Sequence, residues 1–186
     1  MYNEKEYLKR KATRLKSYDY SSTGVYFVTI CIQDRKQILS KIIRTSRPVT
    51  DESENSTVGE GLAPPEYSVR LKPCGEIARE QLLQIEKRFP NVSVKDYVIM
   101  PDHIHATLYL RKETGGASPS PTLDDVICAF KSLTSRVCKQ RYGIDRMFQR
   151  SFAEHIIRDR EDYETRKKYI FENPTRWYYK NLNAGK

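Results

Sequence analysis

The stretch that most limits how this chain can fold is 97–110, YVIMPDHIHATLYL. Two β-rich apolar runs flank a Met-Pro-Asp break, which predicts two strands joined by a tight turn at Pro101 and Asp102. Side chains alternate between faces along a strand. His103 and His105 therefore share one face, and Ile104, Ala106, Leu108 and Leu110 share the other, where they can meet a core. The chain has only three histidines, and two stand here at i, i+2. That spacing suits two ligands converging on one cation from a sheet face. It equally fits one imidazole capped by a hydrogen bond beside an incidental second.

The flanking sequence supplies the rest of a sheet and its helices. After Ser21, Ser22, Thr23 and Gly24, the run VYFVTICIQ is β-branched and aromatic and predicts a buried strand. Segments 41–47 and 67–72 predict two short strands of a hairpin excursion, with an acidic Gly/Pro/Ser loop at 48–66 between them. Pro73, Cys74 and Gly75 open a helix whose apolar face runs through Ile77, Ala78, Leu82, Ile85 and Phe89 until Pro90 ends it. Strands at 91–100 and 103–111 follow, then a Gly/Ser/Pro loop at 113–121. Thr122 with Asp125 makes a capping box for the next helix, and Gly143 suits its end. A fourth main strand is expected at 149–157. Asp159 caps a last helix that Pro174 should stop, since proline disfavours helical geometry at Asn173. Without the excursion, the order β, α, β, β, α, β matches the ferredoxin-like split βαβ plan, an α+β fold also used by RNA-binding domains, with an extra C-terminal helix. That plan puts His103 and His105 on a central strand, facing away from the two crossover helices. The final helix is then free to lie across their face.

A chain of 186 residues with 38% hydrophobic and 31% charged side chains reads as a single globular domain over 1–186. No apolar run approaches membrane-spanning length, and the basic arm at 1–17 lacks a secretory apolar region, so a cytoplasmic protein without a membrane partner is expected. Cys31, Cys74, Cys128 and Cys138 form no CxxC pair, which argues for reduced buried thiols and against a zinc finger. The net charge of +9 favours a polyanion, nucleic acid first and anionic membrane second. Residues 122–186 alone carry 14 basic and 9 acidic side chains. Lys131, Arg136, Arg150 and Arg158 are candidate phosphate contacts there, each as readily solvated surface. His155 reads as structural. Glu154 and Asp102 lie near the histidine stretch in sequence and could bind or position a metal, although its turn location explains Asp102 more simply.

On the last helix Tyr169 and Asn173 are four residues apart and share a face. A tyrosine beside a bound cation can act as a nucleophile, because positive charge favours its phenolate. Arg166, Lys167 and Lys168 precede it and could steer phosphates. A packing role is the plainer account of one tyrosine among 13. Trp177, Tyr178 and Tyr179 could stack on bases or anchor the tail.

YFVTI at 26–30, YVIMPDHIHATL at 97–108 and SFAEHIIRDREDYETRKKYIFENP at 151–174 together resemble the IS200/IS605-like Y1 tyrosine (HUH) transposases, most closely the REP-associated branch. The resemblance runs through nearly the whole chain from Tyr18 and keeps the motifs in order. It implies that His103 and His105 bind a divalent cation, Mg²⁺ or Mn²⁺, and that Tyr169 is the nucleophile. Asn173 takes the place of the third ligand. The implied activity is cleavage and rejoining of single-stranded, hairpin-bearing DNA through a 5′-phosphotyrosine. Relatives work as homodimers that exchange the tyrosine helix or as monomers that keep it. Two other classes stay open: a non-catalytic RRM-like nucleic-acid binder, and a relaxase or replication-initiator nuclease of the same chemistry.

Overall fold

A computed structural model describes residues 23–45, 66–112 and 121–184. The arm expected at 1–17, the last two residues of the strand expected at 41–47, the loop at 48–66 apart from Glu66, and the loop at 113–121 apart from Pro121 lie outside the described residues.

Four strands form an antiparallel sheet: β1 (Gly24–Cys31), β4 (Val92–Ile99), β5 (His103–Leu110) and β6 (Ala153–Ile157). Their spatial order is β4-β5-β1-β6, the order the split βαβ plan requires. Strands β2 (Ser40–Arg44) and β3 (Tyr67–Leu71) pair with each other as a separate ribbon. Helices α1 (Pro73–Leu83) and α3 (Leu123–Tyr142) cover one face, and α4 (Arg160–Ala184) lies over the other. A short α2 (Ile85–Arg88) follows α1 after a break at Gln84, where a single continuous helix was expected.

The alternation in β1 and β5 produces two cores. Tyr26, Val28 and Ile30 on β1, with Ile104, Ala106, Leu108 and Leu110 on β5, are at most 2% exposed beneath α1 and α3. Burying each large aliphatic side chain contributes roughly 1.5–3 kcal/mol, so a one-residue slip of β5 would forfeit the whole set. That burial decides which way the histidines point. On the opposite face Phe27, Val98, Met100, Ile157 and Ile170 make a smaller core that seats α4.

Local signals read from sequence recur at the helix ends. The Thr122 hydroxyl accepts from the Asp125 N–H, the Asp125 carboxylate accepts from the Thr122 N–H, and Gly143 ends α3 in the left-handed region at φ 66°. Gly75 meets the Leu39 backbone so closely that a Cβ would lie 2.0 Å from the Leu39 carbonyl oxygen, which explains a glycine inside α1. The Asp159 side chain caps α4 by accepting from the Asp162 N–H at 2.8 Å.

Three further expectations need correction. Pro174 does not stop the last helix: α4 continues through it to Ala184. An internal proline costs about 3 kcal/mol, but packing on both sides offsets this. Ile170, Asn173 and Pro174 are buried, and Tyr178 stacks on Tyr67 of the hairpin ribbon with ring centroids 4.0 Å apart. The fourth main strand is shorter than expected, since β6 begins only at Ala153 and Phe148 makes a lone bridge to Ile32. Of the four free thiols Cys74 and Cys138 are buried, but Cys128 is exposed and Cys31 half-buried.

Candidate active site

β5 projects His103 and His105 beneath α4, where they are 9% and 5% exposed. Their Nε2 atoms lie 3.1 Å apart, with the rings nearly perpendicular at 77°. Each Nδ1 is held from behind. The Asp102 Oδ1 lies 2.5 Å from Nδ1 of His103, and the Thr29 Oγ1 lies 2.9 Å from Nδ1 of His105. Thr29 stands opposite His105 in the β1–β5 register, so pairing of the strands supplies this contact. Burial pushes the Asp102 carboxyl up, but the hydrogen bond and charge of His103 and the Arg35 guanidinium at 3.5 Å outweigh it and hold Asp102 below the usual range. Burial, then the charges of His103 and Arg35, push His105 down to about 3, so its imidazole is neutral near pH ~7.

The donor set fits a divalent cation. Two nitrogens that each bind one ion at ~2.1 Å sit ~3.0–3.4 Å apart for bond angles between octahedral and tetrahedral, and the observed separation falls in that interval. Among the described residues no group of three or more His, Cys, Asp or Glu is placed to hold a metal. Further ligands would have to come from an amide, a phenol, substrate or water.

α4 brings Tyr169 to this pair within one chain. Its ring meets His105 edge-on at 5.2 Å and Phe27 at 6.0 Å, and it is 37% exposed. Asn173, one turn further along, is buried at 6% exposure. Phe27 is the hub. It stacks on His105 at 5.1 Å with a 23° interplanar angle, and the Arg166 guanidinium lies 5.6 Å above its ring.

The basic candidates divide. Arg166 is engaged within the protein, donating to Asp162 at 3.2 Å and lying 3.4 Å from His155 Nε2. Lys167 is exposed beside a cavity of about 310 Å³ that Tyr67, Tyr97, Phe171 and Pro174 also line. Lys168 is exposed and pairs with Glu172 at 3.8 Å. Arg150 and Arg158 are exposed on either side of β6. Arg136 is exposed on α3, on the sheet face opposite the imidazoles. Lys131 donates to the carbonyls of Gln149 and Arg150 and so ties α3 to the approach to β6.

Two contributors escaped the sequence reading, and two others were named there without their partners. Thr29 and Phe27 looked like ordinary strand residues, and only the register with β5 and β6 puts them against His105 and His155. Asp102, for which the turn is the simpler explanation in sequence, is the partner of His103. His155 faces α4, and its Nε2 lies 2.6 Å from Asp162 at the start of that helix. The His-x-x-x-x-x-x-Asp separation carries no recognised signal, so tertiary pairing alone reveals it. Of the aromatic tail residues, Tyr178 and Tyr179 pack against Tyr67, and Trp177 packs against the smaller core.

No family model matches the chain. An uncharacterized protein of Haemophilus influenzae is 27% identical over 183 residues, spanning 90% of this chain and 89% of its own. A solved REP-associated tyrosine transposase bound to a REP hairpin superposes with a TM-score of 0.56 at 18% identity, over 88% of this chain and 73% of that one. A chain from Deinococcus radiodurans described as a candidate transposase gives 0.44 at 14% identity, over 84% and 94%. The likeness at 0.56 is one of fold: the same α+β arrangement of an antiparallel sheet with helices.

Proposed function

We propose that this chain is a divalent-metal-dependent nuclease and strand transferase of the Y1 HUH type, acting on single-stranded, hairpin-bearing DNA. The observation that carries this reading is the edge contact of Tyr169 with His105, whose Nε2 converges on that of His103. The fold shared with a transposase that binds a REP hairpin supports it, as does the basic charge of +9.

When bound by His103, His105 and the Asn173 amide oxygen, Mg²⁺ or Mn²⁺ would neutralise charge developing on the scissile phosphate. The chain's own residues do the rest. The Tyr169 oxygen attacks phosphorus in line, and the bond from phosphorus to the 3′ oxygen breaks. The phenolic proton passes to solvent and the departing 3′ oxygen takes one up. The products are a 5′-phosphotyrosine and a free 3′-hydroxyl. Attack of a 3′-hydroxyl on the phosphotyrosine reverses these changes and rejoins DNA, with no nucleotide consumed. The α4 helix and the Phe27 ring orient the phenol, and a monomer suffices because the chain brings its own Tyr169 to its own imidazoles. A homodimer exchanging α4 would place the same atoms in the partner. Arg150, Arg158, Lys167 and Lys168, exposed around α4 and β6, would carry phosphate contacts. Arg136 would contact only DNA that wraps to the far face. No helix among the described residues is long and apolar enough to cross a membrane.

A labelled hairpin-bearing oligonucleotide incubated with protein and Mn²⁺ tests the reading. A covalent protein–DNA adduct should form with the wild type and vanish in Tyr169→Phe and His105→Ala. An adduct that survives Tyr169→Phe removes Tyr169 from the chemistry. A non-catalytic single-strand binder would need stacking aromatics on the sheet face that α4 covers, which weighs against that alternative.

A further inference from the structure

We propose that Asp102 and Thr29 are the positioning residues of the cation site, Asp102 as a charged acceptor behind His103 and Thr29 as a neutral hydroxyl behind His105, together aiming both Nε2 atoms at one point. This rests on the reading of His103 and His105 as ligands.

The asymmetry comes from what each partner can do. A carboxylate only accepts hydrogen bonds. Asp102 Oδ1, 2.5 Å from His103 Nδ1, therefore holds a proton on that nitrogen and turns Nε2 toward the cation position. The other carboxylate oxygen is braced at 3.5 Å by Arg35, whose backbone sits in the left-handed region at φ 54° beside Asp34 at φ 56°. Two consecutive non-glycine residues in that region are costly, and such strain persists where surrounding structure holds it. Here it aims Arg35 at the carboxylate behind a ligand.

His105 meets a hydroxyl, which both donates and accepts. For its Nε2 to serve a cation, His105 must carry its proton on Nδ1, and the Thr29 oxygen 2.9 Å away stands where that proton can be accepted. An aliphatic group at residue 29 would strand Nδ1 in a buried place. Asp102 does the same for His103 and, being charged, also raises the basicity of the donor it holds.

The test is Mn²⁺ binding to the full chain stripped with chelator and free of DNA, read by isothermal titration and by the electron paramagnetic resonance of free Mn²⁺. Asp102→Ala should bind about 10–100-fold more weakly, with Asp102→Asn intermediate because it keeps the acceptor and loses the charge. Thr29→Val, nearly isosteric, should weaken binding about tenfold, and Thr29→Ser should restore it. Circular dichroism establishes that each variant is folded, and Asp102→Asn decides if Asp102→Ala is not. Folded Asp102 and Thr29→Val variants that bind like the wild type overturn this inference alone. A wild type with no saturable Mn²⁺ binding overturns the metal reading itself, and this inference with it.

Discussion

Acidification of the metal-free protein should destabilise it through His105, by an amount the structure sets. The imidazole is 5% exposed, and burial together with the charges of His103 and Arg35 lowers it from 6.5 to about 3. The folded form therefore binds fewer protons than the unfolded chain between these two values. Stability then rises with pH, so it is complete above the unfolded value and lost as pH falls toward the folded one. From pH ~7 to ~5 an unfolded imidazole goes from about a quarter to almost fully protonated while the buried one takes up almost no proton, which integrates to about 2 kcal/mol. By pH ~3 the loss would reach about 4 kcal/mol, a large part of the 5–15 kcal/mol that holds a typical domain together. Urea denaturation followed by circular dichroism, in chelator, at both ends of the upper interval measures this. His105→Gln has no titrating group at that place, so wild type minus variant isolates the imidazole from carboxylates common to both. The wild type should lose about 2 kcal/mol more than the variant. Equal losses would mean that His105 is not held neutral beneath α4, and the account of a buried imidazole pair would be wrong.

Other perturbations address how α4 is seated. Asp162→Asn removes the charged acceptor of His155 and Arg166 and should cost about 1–2 kcal/mol, seen as a lower thermal midpoint together with a slower Tyr169 adduct. Burial pushes the Asp162 carboxyl up, but those two partners outweigh it and hold it low, so this contribution fades only in acid. Thr122→Ala breaks the capping box of α3 and should cost about 1 kcal/mol in chemical denaturation, with Mn²⁺ binding unchanged because α3 lies on the far face.

Much of the architecture was readable in the chain because it is written in local periods. Alternation in 97–110 separated the histidine face from the core face, and four-residue spacing put Tyr169 and Asn173 on one side of a helix. Thr122, Asp125, Asp159 and Gly143 marked helix ends through backbone hydrogen bonds that act within a few residues. Pro174 shows the limit of such rules. Its local preference to end a helix is real, but Tyr178 on Tyr67 and the buried Ile170 lie outside any local window and outweigh it.

The environment of the candidate site was decided by tertiary structure alone. Thr29 reaches His105 because β1 and β5 pair in one register, Phe27 lies between imidazole, phenol and guanidinium because three strands and α4 meet there, and His155 meets Asp162 across a turn. The residue types that carry chemistry are a property of the sequence. Their partners, burial and proton positions depend on contacts between segments as distant as Thr29 and His105, 76 residues apart, and such contacts exist only once the sheet has closed and α4 has covered it.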